Sequence, residues 1–100
     1  MFIAMNRFQI VRGSEEDFEN VWRNRDSYLD KVAGFKEFHL IKGESNEEYT
    51  LYASHSTWTS QADFIAWTKS DSFKAAHQNA GNNKKLYLGH PVFEGFDVIL

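Results

Sequence analysis

The amino-acid sequence predicts an α+β domain, an antiparallel sheet covered on one face by helices, and three observations lead there. Segments 2–10, 35–42, 49–58 and 91–100 have the alternation or the β-branched and aromatic content of strands. Between the first and second of these, and again between the third and fourth, apolar residues recur at three- and four-residue intervals, the period of a helix. Residues 43–48 form a short polar connection suited to a hairpin.

In the first strand Phe2, Ala4, Asn6, Phe8 and Ile10 share one face, while Ile3, Met5, Arg7, Gln9 and Val11 share the other. Both faces carry apolar residues, so both are predicted to be at least partly covered. Gly13 breaks the pattern, and Ser14 to Asp17 resembles a capping box with Asp in place of Glu. A helix is predicted from there to about Lys31, with Phe18, Val21, Trp22, Leu29 and Val32 on its apolar stripe and Gly34 ending it. Phe35 to Lys42 is the second strand, Gly43 to Glu48 the hairpin connection, and Tyr49 to Trp58 the third strand. Ser60 to Asp63 caps a short helix carrying Phe64 and Trp67. Lys69 to Asp71 interrupts it, with Ser70 or Asp71 available to cap a further helical segment. There Phe73, Ala76, His77 and Ala80 occupy one face. Gly81 to Lys85 reads as a basic loop, and Pro91 to Leu100 as the last strand.

The resulting order, β-α-β-β-α-β, is the ferredoxin-like arrangement. Its 100 residues suit a single domain, 1–100, with no repeat, linker or low-complexity tract. Helices can cover only one sheet face, yet the other still presents Ile3 and Met5. A second copy packed sheet to sheet would cover it, so a homodimer is predicted.

Composition narrows the function. A net charge of −3 lacks the basic stripe of nucleic-acid binders. No apolar run approaches the ~20 residues of a membrane span, and the start lacks the layout of a secretory signal. The absence of cysteine excludes disulfides and thiolate metal sites and points to the cytoplasm. His39, His55, His77 and His90 are scattered without zinc-site spacing, and neither a nucleophile elbow nor a phosphate-binding glycine loop is present. Aromatic residues reach 16%, more than an ordinary small core requires, which leaves room for a pocket for a flat apolar ligand or a dimer interface.

Three residues carry candidate chemistry. Asn6 sits among inward apolar residues of a strand, where asparagine is depleted, and reads either as a buried amide bonded to backbone or as a ligand contact. His77 reads as a half-exposed helical histidine or as an inward ligand; a helical imidazole can bind haem iron. Trp67 reads as core or as pocket wall. A carboxamide facing the same cavity can hydrogen-bond whatever binds there.

The segments F-I-A-M-N-R at 2–7, A-G-F at 33–35 and W-T-S-Q-A-D-F-I-A-W-T-K-S-D-S-F-K-A-A-H at 58–77 are similar to those of the bacterial haem-degrading monooxygenases, the IsdG-type enzymes of the antibiotic-biosynthesis-monooxygenase-like superfamily. The similarity covers nearly the whole chain, and the asparagine, tryptophan and histidine of that family fall on Asn6, Trp67 and His77. It implies a dimeric α+β barrel that binds one haem per subunit between helices and sheet. Haem there is both substrate and cofactor, and the ring is opened with O2 and an external electron donor, a reductase or small-molecule reductant, in the service of iron acquisition. By this resemblance His77 is the iron ligand and Asn6 hydrogen-bonds on the opposite side. Trp67 is expected to act by its bulk, distorting the macrocycle, and Phe8, Phe64 and Phe73 are candidates for the pocket wall. For the propionates the chain offers Arg25, Lys84 and Lys85, which read equally well as a snorkelling arginine and a solvated lysine pair. The chain departs from the family after His77, in the short Gly81–Lys85 loop, and His90 has no counterpart role. Competing readings are a cofactor-independent monooxygenase acting on a quinol or aromatic polyketide, a haem-storage protein that never turns over, and a dimeric stress-response module.

Overall fold

The computed structural model describes residues 1–25, 29–77 and 85–100, the side chain of His77 excepted. The elements are β1 (Phe2–Val11), α1 (Glu15–Asn24), β2 (Phe35–Ser45), β3 (Tyr49–Trp58), α2 (Gln61–Thr68), α3 (Asp71–His77) and β4 (Val92–Asp97). The four strands form one antiparallel sheet in the order β2-β3-β1-β4. This is the ferredoxin-like arrangement, with two short helices in the second crossover.

Alternation in β1 places its residues as the sequence predicts. Phe2, Ala4, Phe8 and Ile10 are buried on the helix side, and Asn6 lies among them half-buried. They form two clusters. One gathers Phe8, Ile10, Phe18, Tyr52 and Leu86; the other gathers Phe2, Ala4, Leu29 and Trp58. Fully burying a side chain such as Phe18 stabilises by roughly 1.5–3 kcal/mol, so these two clusters anchor α1 and the second crossover to the sheet.

Several boundaries differ from the sequence expectation. The first helix ends at Asn24, not near Lys31, because Arg25 is already extended (φ −81°, ψ 129°). Leu29 and Val32 still reach the core, but from turns in which the Val32 N–H bonds the Leu29 carbonyl at 2.9 Å. Ser14 makes no side-chain cap. The Glu15 carboxylate ties that helix end down instead, accepting from the Gly13 N–H at 2.8 Å, Arg12 Nε at 3.1 Å and the Thr50 hydroxyl at 2.8 Å. These bonds hold the Glu15 carboxyl down at about 2, the Thr50 hydroxyl contributing most.

The second strand continues past Lys42 to Ser45 through a register shift, and Asn46 makes the turn by accepting from the N–H groups of Glu48 and Tyr49, both at 2.8 Å. The last strand is shorter than expected, Val92–Asp97; only the Val98 N–H goes on, to the Met1 carbonyl at 2.9 Å. Gly34 does not end a helix. It has φ +82°, and a Cβ there would collide with Asp63, so it lets the capped start of α2 close on the entry to β2. The Ser60 hydroxyl provides that cap, accepting from the Asp63 N–H at 3.2 Å.

The helix-free face pairs Ile3 with Phe96, Arg7 with Val92, and Met5 and His39 with His55. Ile41, Val92 and Phe96 on this face are 42%, 58% and 46% exposed. Among the described residues nothing covers them.

Candidate functional site

Between the two clusters, a cavity of about 490 Å³ separates the sheet from the helices. That size lies within the ~300–1,000 Å³ typical of small-molecule sites. Ala4, Asn6, Phe8, Ser54 and Ser56 form its floor, and Phe93 and Phe38 extend that floor onto the flanking strands. Trp22, Phe64, Trp67, Phe73 and Ala76 come from the helices.

Aromatic packing fixes the walls. Trp22 stacks on Phe38 with centroids 5.6 Å apart and planes 19° apart. Phe64 stacks on Phe93 at 5.6 Å and 8°. Trp67 is wedged between Trp58, at 5.3 Å, and the edge-on ring of Phe73, at 4.8 Å. Ser70 makes this wedge rigid. Its hydroxyl donates to the Trp67 carbonyl at 2.6 Å and accepts from the Phe73 N–H at 3.2 Å, joining the end of α2 to the start of α3. Of the two capping candidates in the sequence, Ser70 is therefore the one engaged.

The polar inventory of the lining is short. Thr68 donates to the Ile65 carbonyl at 2.6 Å, and Ser56 accepts from Trp58 Nε1 at 2.9 Å while donating to the Ala4 carbonyl at 3.4 Å. Among the described residues the Trp22 indole N–H is buried with no acceptor, a loss worth about 1–3 kcal/mol when uncompensated. The Asn6 carboxamide and Ser54 hydroxyl have no partner among the described residues either, and they face one another across the β1–β3 register.

Arg25 lines the cavity with its guanidinium 4.3 Å from the Trp22 ring centroid and no carboxylate partner among the described residues. Burial pushes its pKa down and that of the nearby Tyr87 up. A half-desolvated guanidinium stacked on an indole, with no carboxylate beside it among the described residues, is a strong receptor for a carboxylate.

Each candidate from the sequence can now be located. Asn6, Phe8, Phe64, Trp67, Phe73 and Arg25 line the same cavity. His77 closes α3 next to Ala76 of the wall, and its side chain lies outside the described residues. Ala80 and Lys84 also lie outside them. Lys85 is exposed and does not line the cavity, because the buried neighbour Leu86 takes the inward position and turns it out. His39 and His55 belong to the helix-free face, and His90 is exposed. Sequence reasoning missed Trp22, Phe38, Phe93, Ser54 and Ser56. For the two serines a signal existed: they occupy inward positions of β3, where a polar residue needs a reason.

The donor set fits a flat, apolar, carboxylate-bearing molecule. Aromatic planes would hold its body, Arg25 an acidic substituent, and the floor amide and hydroxyl a small polar ligand. Among the described residues no cluster of three or more His, Cys, Asp or Glu converges to hold a bare metal ion.

Residues 1–79 match the family model described as antibiotic biosynthesis monooxygenase. The chain is 32% identical over 79 residues to a heme oxygenase (staphylobilin-producing) of Staphylococcus haemolyticus, covering 79% of this chain and 75% of the relative. It is 27% identical over 92 residues to a heme-degrading monooxygenase of Bacillus thuringiensis, covering 92% and 85%. Its fold superimposes on the heme degrader MhuD of Mycobacterium tuberculosis, solved with two hemes in its active site, with a TM-score of 0.76 at 22% identity over 100% of this chain and 97% of the other.

Proposed function

The chain belongs to the antibiotic biosynthesis monooxygenase family, and on that premise we propose that it is a haem-degrading monooxygenase. It would take up haem as substrate and cofactor, open the ring with O2 and an external electron donor, and release the iron. One observation carries this reading: a cavity walled by flat aromatic side chains, with polar groups at the Asn6–Ser54 floor and the Arg25 guanidinium turned to it. The heme-degrading relatives support it.

Bound haem would supply an iron centre that activates O2 and a macrocycle that is itself oxidised. His77 is assigned as the iron ligand through its neutral imidazole; its helix carries Phe73 and Ala76 into the cavity wall. Asn6 would offer its amide N–H from the floor to a small polar ligand and so orient it. Trp67 acts by volume. Held by Trp58 and Phe73, it has little freedom to retreat and would present a rigid, bulky wall to a flat ligand. Arg25 pairs with a propionate, and Phe8, Phe64 and Phe73 exclude water. Positioning, rather than acid–base work by a carboxylate, carries the reaction.

In this reading the enzyme is a homodimer that buries Ile41, Val92 and Phe96 with Ile3 and Met5, and it works in the cytoplasm beside a reductase or small-molecule reductant. Among the described residues no helix is long and apolar enough to cross a membrane.

The test is a haemin titration of the purified protein followed by ascorbate in air. A Soret band that forms and then decays is the expected result. A band that forms and persists would mean storage without turnover, and no band at all would overturn the haem reading.

A further inference from the structure

The sheet register assembles one transverse row on the cavity floor: Leu40 of β2, Ser54 of β3, Asn6 of β1 and Phe93 of β4. Its middle is polar and its ends are apolar. Directly opposed residues in an antiparallel pair have Cβ atoms ~4.5–5.5 Å apart, so the Asn6 amide and the Ser54 hydroxyl stand side by side without bonding each other. Ser54 is only 9% exposed, so what surface it has belongs to the cavity it lines.

Its neighbour on the same strand face is the control. The Ser56 hydroxyl, two residues along, is consumed by Trp58 and the Ala4 carbonyl. The Ser54 hydroxyl has no such engagement among the described residues. A hydroxyl can both donate and accept, whereas the amide N–H₂ only donates. Together they offer a two-point hydrogen-bonding surface in an otherwise apolar floor.

We infer that Ser54 is a second hydrogen-bonding residue of the cavity floor, acting beside Asn6 on a small polar ligand of haem: dioxygen, or an anion such as azide. The inference rests on the haem reading above. Ser54 touches the small ligand and not the macrocycle, so its loss leaves haem uptake intact and alters what binds over the floor.

The experiment compares haem-loaded wild-type protein with Ser54→Ala, Ser54→Thr and Ser54→Cys. Azide affinity is read from the Soret shift, and the carbon monoxide stretching frequency from the reduced complex. Ser54→Ala should bind haemin within about twofold of wild type and azide about five- to tenfold more weakly, the loss of one hydrogen bond. The carbon monoxide stretch should move to the value of a less polar pocket, and Ser54→Thr should restore both. Ser54→Cys fills the position with a slightly larger group that is only a weak donor, and gives the same readout should the alanine variant fail to fold. Haemin bound normally with azide affinity and carbon monoxide stretch both unchanged would overturn the role of Ser54 alone. A wild-type protein that forms no Soret complex would overturn the haem reading and this inference with it.

Discussion

Replacing Asn6 by alanine separates binding from chemistry. The carboxamide has no hydrogen-bond partner among the described residues, so the truncation breaks no bond among them. Folding stability should therefore change by less than about 1 kcal/mol, since an amide that satisfies nothing leaves nothing unsatisfied. Haem affinity should hold to within about threefold, because the iron ligand, the aromatic walls and Arg25 remain. Turnover should not. A donor aimed at developing charge in a dry cavity is worth ~3 kcal/mol, roughly a hundredfold in rate. Thermal melting reads the first quantity, a haemin titration the second, and the decay of the Soret band with ascorbate in air the third. Wild-type turnover in a haem-loaded Asn6→Ala protein would refute the role assigned to the amide. So would a stability loss above about 2 kcal/mol, which would make Asn6 a structural partner.

His77→Ala should abolish specific haem ligation, whereas alanine at His39, His55 or His90 should leave the Soret band nearly intact; the reverse pattern would sink the ligand assignment. Trp67→Ala should retain haem but slow its decay, with the resonance Raman marker bands shifting towards those of a planar ring. Full activity together with an unchanged out-of-plane signature would end the steric account. The acid limb of stability should depend on Glu15, whose carboxyl is held at about 2, below its usual 4.5. A depressed carboxyl stabilises the fold above pH 4.5 and loses that contribution as the pH falls towards 2. Melting temperatures measured across that window should fall less steeply for Glu15→Gln, and parallel curves would contradict the linkage. Light scattering at micromolar concentration should give twice the 11.6 kDa subunit mass; a single-subunit mass would remove the dimer.

Local periodicity was enough for the strands that are regular. The two-residue alternation of β1 put Phe2, Ala4, Asn6, Phe8 and Ile10 on one face, and β3 begins and ends where its Tyr- and Thr-rich run does. Asn6 and Trp67 stood out from residue type and position, and the quoted segments tied them to a family. What the sequence left open depends on contacts between distant residues. The first helix stops at Asn24 although its apolar stripe continues, because Leu29 packs with Phe2, Ala4 and Trp58 from a turn, and burial rewards the contact whichever backbone delivers it. Arg25 read either as a snorkelling surface arginine or as a propionate contact, and only that early end turns it onto Trp22 and the cavity. Ser54 faces Asn6 only because β3 pairs with β1 in one register; a one-residue slip would have sent every side chain of the strand to the other face. Alternation decides which residues share a face, whereas the partner across the cavity is chosen by pairing between strands some fifty residues apart, and that pairing exists only in the folded sheet.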